Sequence, residues 1–385
     1  MSKSQQSTDP TTVEEFLRKL PDADYRTIQG GEGQQWTDAR AIREEFGVAP
    51  YNPEQFDERA EGLVPDLLTH SWDPPSHMKA GGTDLLATGK PGTGKSTLAI
   101  HLAVRLIDIN NERLVWRGSA SRSEWLPLAP WVTLVLPETT EYSARFVPRR
   151  PTDETIDIPK IEQLEGRVVR EIKRYRNPRH LNEKILEPGQ VHVVYPDPEM
   201  QGCQGLLEDA AEKSYDLPQG RETLFHPDDP DNHWWFAWVL ARVEHGPHKW
   251  TTLMLDEIGD IAEQAARKDS FGSYQKVQLL RDAWVDARKM GLTIFAFGHS
   301  EKDIHSMIRR KIRWRVAMNG SANPTTASDV VGFDSVKMNY DHTSSYDVGE
   351  GLIYSEQNFE KKITWDDYDI PVSHKLKLET VGDRR

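Results

Sequence analysis

Cysteine is nearly missing from this sequence: among 385 residues there is one, Cys203. A lone thiol excludes an intramolecular disulfide and a multi-cysteine zinc site within the chain, and it suits a reducing compartment. Long apolar runs are missing too. No stretch approaches the roughly 18 apolar residues of a membrane span, and the N-terminal "MSKSQQSTDPTT" lacks the apolar centre of a signal peptide, so a soluble, cytoplasmic protein is expected. Positive charge is in deficit: 48 Lys and Arg against 61 Asp and Glu leave a formal net charge of −13. That balance disfavours indiscriminate adhesion to nucleic acid or membrane. No internal repeat of useful period is visible. What is present, 37% hydrophobic residues over this length, suffices for one large domain or two ordinary ones.

The stretch "ATGKPGTGKSTLAIHLAVRL" (87–106) carries a complete G-x-x-x-x-G-K-[ST] pattern in Gly89, Lys90, Pro91, Gly92, Thr93, Gly94, Lys95 and Ser96. This is the spacing of a Walker A phosphate loop. Glycines let the backbone curl until successive N–H groups face phosphate oxygens, and the helix that follows presents its positive dipole end to the same anion. Lys95 is then expected at the β- and γ-phosphates of ATP and Ser96 on Mg²⁺, with Thr97 completing the nucleotide-binding run. Apolar "TDLLAT" before the loop reads as a strand and "STLAIHLAVRLIDI" after it as a buried helix, the order the motif requires.

Residues 1–80 read as an N-terminal extension, polar and partly disordered at its start, with a capping box at Thr12 to Glu15 opening a short helix. The core is expected over 81–330, with "RLVWRG" and "WVTLVLP" as strands. An insertion at about 138–235 interrupts it, holding a basic helix "RVVREIKRYRNPRHL", a strand "QVHVVYP" and an acidic loop "HPDDPDNH". A helix "WWFAWVLARVEHG" ends at Gly246. Residues 331–385 are read as a C-terminal hairpin and tail returning to the core.

A second acidic element follows. "KWTTLMLDEIGDI" sets Asp256 and Glu257 directly after an apolar strand, the place of a Walker B pair: Asp256 in the Mg²⁺ shell, Glu257 polarising the attacking water. The adjacent Glu points to NTPases that carry their catalytic glutamate beside the Walker B strand. "SYQKVQLLRDAWVDARKMG" reads as an amphipathic helix that Gly291 can cap, and "LTIFAFGHS" as a strand that ends in small and polar residues and sets His299 or Ser300 at the sheet's carboxyl edge, with His299 the candidate γ-phosphate sensor. The dense cations Arg309, Arg310, Arg313 and Arg315 are arginine-finger candidates, although for each one alone a salt bridge is the plainer reading. Histidine pairs such as "HGPH" lack ligand spacing, so no metal beyond Mg²⁺ is assigned.

Through its Walker A region and through "MLDEIGD", "DARKMGLTIFAFGHSEKDI" and "IRWRVAMNG", the chain resembles the FtsK/HerA superfamily of P-loop ATPases. Its Trp-rich segments "VWRGSASRSEWLPLAPW" and "DNHWWFAWVLARVEHGPHKW" resemble ATPases of haloarchaeal pleomorphic viruses and related proviruses and plasmids. The resemblance implies an α/β, RecA-like fold of the additional-strand catalytic-glutamate type, with a mainly parallel central sheet flanked by helices. It also implies a homo-oligomer, hexameric in that family, working in the host-cell interior as an ATP-hydrolysing motor on double-stranded DNA. That family usually ends the sensor strand with Thr-Gln, where this chain has Gly298-His299.

Two rivals remain at this point. One is a virion-assembly or secretion ATPase, similar to zonular occludens toxin-like proteins, with protein as cargo. The other is a nucleotide-gated structural subunit with little turnover, against which the Asp256-Glu257 pair argues. Basic clusters at 167–179 and 309–315 favour DNA, since a motor needs phosphate contacts even when its exterior is acidic; Tyr175 and Trp314 are candidates to stack on bases.

Overall fold

The computed structural model describes residues 6–7, 42, 46, 70, 82–120, 122–150, 154–214, 230–321, 343–355, 360–365 and 374–381. Nearly all of the extension expected over 1–80, including its capping box, and the start of the acidic loop lie outside these residues.

The described residues build a ten-stranded sheet in the order β13-β12-β11-β2-β10-β9-β3-β8-β4-β7. Its strands are β2 (Asp84–Thr88), β3 (Arg113–Arg117), β4 (Val132–Pro137), β7 (Glu171–Tyr175), β8 (Val191–Val194), β9 (Thr251–Leu255), β10 (Leu292–Gly298), β11 (Trp314–Met318), β12 (Glu350–Ser355) and β13 (Glu360–Thr364). From β11 to β7 every neighbouring pair is parallel, and the β12–β13 hairpin adds the antiparallel edge. This is an α/β P-loop fold. Strand β10 lies between β2, which feeds the glycine loop, and β9, which ends at the acidic pair.

Helices cover both faces, as a parallel sheet requires. Strand β2 shows the partition: Leu85 and Ala87 join one core with the helix α1 (Lys95–Asn110), while Leu86 points into the other. The second core holds α2 (Cys203–Ser214), α3 (Pro230–Leu240) and α4 (Ser273–Ala287). Trp234, Trp235 and Trp238 of α3 stack edge to face there, with ring centroids 5.0 and 5.7 Å apart. Tryptophan serves as core material in this helix. Gly246 follows a last π-turn, Ala241–His245, with φ of 77°, and Gly291 takes φ of 69° three residues beyond Arg288, the cap of α4.

The stretch 138–235 divides between the two sheets. Strands β7 and β8 belong to the large sheet, whereas β5 (Tyr142–Pro148) and β6 (Thr155–Ile158) form a smaller one with β1 (Gln6–Ser7) and β14 (His374–Thr380). The basic segment expected as a helix over 167–181 is therefore a strand at Glu171–Tyr175 and helical only from Pro178 on. Residues 171–175 pair with β4, Thr133 Oγ1 donating to Glu171 Oε1 at 2.9 Å, and Asn177 caps the single turn Pro178–His180. Tertiary pairing overrides a helical pattern here, and an edge strand tolerates charge on both faces. Tyr175 is fully buried with its hydroxyl on Tyr195 O, so it is core and not a base platform; Trp314, half-buried, packs on the first core.

Candidate active site

Strands β11, β2, β10, β9 and β3 are consecutive and parallel, so their carboxyl ends open on one edge of the sheet. In open α/β sheets this edge is where ligands bind. The glycine loop leaves β2 there and enters α1 at Lys95. Gly92 and Gly94 take φ of 82° and 93°, a region that excludes most side chains, and a Cβ on Gly89 would stand 2.8 Å from Met318 Cβ and from Thr93 Oγ1. Thr93 Oγ1 closes the loop by donating to Lys90 O at 2.9 Å. Pro91 and Gly92 are exposed at its tip, while Ser96 and Thr97 are half-buried in the first turn of α1.

Lys95 folds across the mouth of the loop, its Nζ donating to Gly89 O at 2.8 Å and Lys90 O at 2.9 Å. Burial lowers its ammonium from the ordinary lysine value, and the carboxylates of Glu257 and Asp256 work against that shift. The loop lysine and the acidic pair, 161 residues apart in sequence, thus share one electrostatic environment. Carbonyls facing Lys95 are the weaker partners, and an incoming phosphate offers stronger, charge-assisted bonds.

Asp256 and Glu257 follow β9 directly. Glu257 adopts φ 53° and ψ 67°, a left-handed conformation uncommon outside glycine and costly enough to mark functional positions. Its carboxylate is flanked by His299 Nε2 at 3.0 Å and Arg122 Nη1 at 3.4 Å. Asp256 Oδ2 is buried, has no hydrogen-bond partner among the described residues, and lies 3.9 Å from Arg122 Nη1. Below them Arg117 donates from Nη1 to Asp256 O at 2.6 Å and approaches Asp260 Oδ2 at 3.3 Å, fixing the turn that carries both acids. Burial and the neighbouring Asp256 carboxylate push the Glu124 carboxyl above the usual range.

Arg117, Arg122 and Glu124 were not among the sequence-predicted site residues. Their signal is a largely polar run, "RGSASRSE", that begins at the last residue of β3; that β3 neighbours β9 cannot be read from the order of the chain. His299 does stand beside Glu257, directly after β10, the strand between the loop and the acids. Ser300 instead caps the next turn, accepting from Lys302 N at 3.2 Å.

The four candidate arginines sit elsewhere. Arg315 is 3% exposed, with Nη1 2.5 Å from Glu301 Oε2 and Nη2 donating to Arg309 O at 2.6 Å. It is a buried structural cation, with no side chain free to reach a neighbouring subunit. Arg309 is buried and donates to Glu301 O at 3.0 Å. Arg313 bonds Asp84 Oδ2 at 3.2 Å, at the amino end of β2 and so on the opposite edge from the glycine loop. Arg310 alone of the four is exposed.

These residues fit a nucleotide with its Mg²⁺. Among the described residues no cluster of three or more His, Cys, Asp or Glu could hold a metal unaided. A phosphate-borne Mg²⁺ takes only one or two protein oxygens, and the orphaned, buried Asp256 Oδ2 is a donor of the required kind.

No family model and no curated protein matches the chain. Among solved structures, it is similar to the genome packaging NTPase B204 from Sulfolobus turreted icosahedral virus 2 in complex with ATP-gammaS, at 13% identity, covering 73% of this chain and 96% of that one with a TM-score of 0.39. VirB4 of Thermoanaerobacter pseudethanolicus is similar at 10% identity over 78% and 93% of the two chains, TM-score 0.42. The N-terminal domain of zonular occludens toxin from Neisseria meningitidis is similar at 12% identity over 77% and 100%, TM-score 0.32.

Proposed function

We propose that this protein is an ATP-hydrolysing P-loop motor that acts as a homo-oligomer on double-stranded DNA of a virus or mobile element, inside the host cell. The observation that carries the hydrolytic part is the Glu257 carboxylate, held in a left-handed turn between His299 and Arg122, one strand removed from the glycine loop. In this reading the loop N–H groups cradle the β- and γ-phosphates. Lys95 would exchange the Gly89 and Lys90 carbonyls for phosphate oxygens, and Ser96 and Asp256 would hold Mg²⁺. With Mg²⁺ held there, charge on the phosphate oxygens would be neutralised. Glu257 orients water and accepts its proton, His299 orients Glu257, and Arg122 supplies a cation from the same subunit next to the γ-phosphate. Residues 1–80 would serve as the extension and Arg310 as the remaining finger candidate.

Exposed Arg176, Arg179 and Lys184 lie at and beyond the β7 edge, and exposed Arg310 and Lys311 precede β11. One observation favours protein cargo as the second reading: several cations of the 167–179 cluster already face acids, Lys173 with Glu187 at 2.5 Å, Arg174 with Glu162 at 3.3 Å and Arg179 with Asp209 at 3.9 Å. The deciding experiment is the ATPase rate without cargo and with double-stranded DNA, single-stranded DNA or the element's own coat and membrane proteins, across a salt series. Stimulation by DNA supports the first reading; stimulation by protein alone replaces it with the second.

A further inference from the structure

The C-terminal hairpin reaches back to the glycine loop. Trp365, the residue after β13, is 7% exposed, and its Nε1 donates to Gly94 O at 3.2 Å. Glycines from two elements make the slot for its indole. A Cβ on Gly94 would lie 3.2 Å from Trp365 Nε1 and from Gly349 N, and one on Gly351 would lie 3.3 Å from Trp365 Cη2 and Cζ3. Gly349 at φ of 84° precedes β12; its N–H approaches Thr93 O at 3.5 Å, and its carbonyl accepts from Trp365 N at 2.9 Å. Two carbonyls of the loop, Thr93 and Gly94, are thereby turned toward the hairpin.

In a planar trans peptide the C=O and the N–H of the next residue point in opposite directions. Drawing Thr93 O and Gly94 O toward the hairpin turns the N–H groups of Gly94 and Lys95 the other way, away from the hairpin. Those are donors that a phosphate-binding loop presents to its anion. Leu98 N also donates to Gly94 O, at 2.9 Å, so this carbonyl is fixed from the helix and from the hairpin at once.

We infer that Trp365 is a positioning residue for the nucleotide, setting the loop N–H groups for the β- and γ-phosphates through its bond to Gly94 O; the inference rests on the ATP-binding reading above. Coupling between sites is reciprocal. Nucleotide that tightens the cradle also tightens the hairpin, which gives the last strands of the sheet a nucleotide-dependent state.

The test measures affinity for Mg-ADP and Mg-ATPγS in the full chain, in Trp365→Phe and in Trp284→Phe, a buried tryptophan of α4 that packs in the other core. Trp365→Phe keeps an aromatic ring and removes one donor, so affinity should fall about fivefold, with KM rising and kcat at saturating ATP unchanged. Trp284→Phe should lower the melting temperature without weakening nucleotide. Wild-type affinity in Trp365→Phe, or an equal loss in Trp284→Phe, overturns the inference while leaving the nucleotide site standing. A wild-type chain that binds no nucleotide overturns the functional reading itself. Should Trp365→Phe fail to fold, hydrogen exchange of the wild type decides: Mg-ATPγS should slow exchange in the loop and in 349–355 and 360–365 together, and slowing confined to the loop contradicts the coupling.

Discussion

His299 Nε2 lies 3.0 Å from Glu257 Oε1. The two residues follow adjacent parallel strands, β10 and β9, and meet because both strands end on the same edge of the sheet. Arg122, from the segment that follows β3 on the other side of β9, approaches the same Glu257 oxygen at 3.4 Å. An imidazole and a guanidinium flanking one carboxylate give it a defined orientation, which a residue that aligns water must have.

Arg122 is the first target. Its guanidinium is one-third exposed and faces Asp256, Glu257 and Asp260 at 3.4 to 3.9 Å. Arg122→Ala should lower kcat on the order of 10²-fold, as loss of one transition-state donor does, with ATP affinity changed far less. Single-turnover hydrolysis separates the two. A kcat equal to wild type removes Arg122 from the chemistry.

Arg315→Ala is expected to act on stability. It leaves the Glu301 carboxylate, 14% exposed, without its cation, and breaking such a buried pair costs about 3–5 kcal/mol. Urea unfolding should show the loss, and mixing this variant with Lys95→Ala should restore no activity. Restoration would return Arg315 to the role of an intersubunit finger.

Lys276 gives a pH signature. It is fully buried, its Nζ is 2.7 Å from His233 Nδ1, and burial pushes its ammonium down to about 7, with Asp269 opposing the shift. Below pH 7 the lysine is charged in folded and unfolded chains alike, and folding bears the full desolvation cost. Between 7 and the ordinary value of 10.5 the unfolded chain binds more protons, so stability rises with pH. Lys276→Met should therefore raise the melting temperature most at pH 6, with the gain shrinking toward pH 10. A gain independent of pH contradicts this account.

For cargo, the β7 edge is six strands from β2, on the order of 30 Å away. Arg176→Glu with Arg179→Glu should abolish stimulation by double-stranded DNA and spare basal hydrolysis. Wild-type binding should weaken by roughly 0.9 log unit per phosphate contact for each tenfold rise in salt. Full stimulation of the double variant excludes this edge as the DNA surface.

Much of the site was legible from local pattern. Gly89 to Ser96 and Asp256-Glu257 need only a strand before them, and the apolar runs that mark β2, β9 and β10 are short and unbroken. His299 was placed by its position at a strand end. Arg117 and Arg122 were not legible, because their roles depend on β3 lying beside β9, a neighbour relation set by packing. The strand at 171–175 was missed for a similar reason. Its pairing with β4 crosses 38 residues and outweighs the helical spacing of its own side chains. Trp365 is farther still from its partner, 271 residues from Gly94.

The central claim is that one site binds ATP through Lys95 and hydrolyses it through Glu257. ATP affinity and phosphate release measured side by side on Lys95→Ala and Glu257→Gln test it most directly. Lys95→Ala should lose affinity, because the charge that meets the β- and γ-phosphates is gone. Glu257→Gln should keep affinity and lose turnover, because the phosphate cradle remains while the group that accepts the water proton does not. Normal phosphate release from Glu257→Gln would contradict the account.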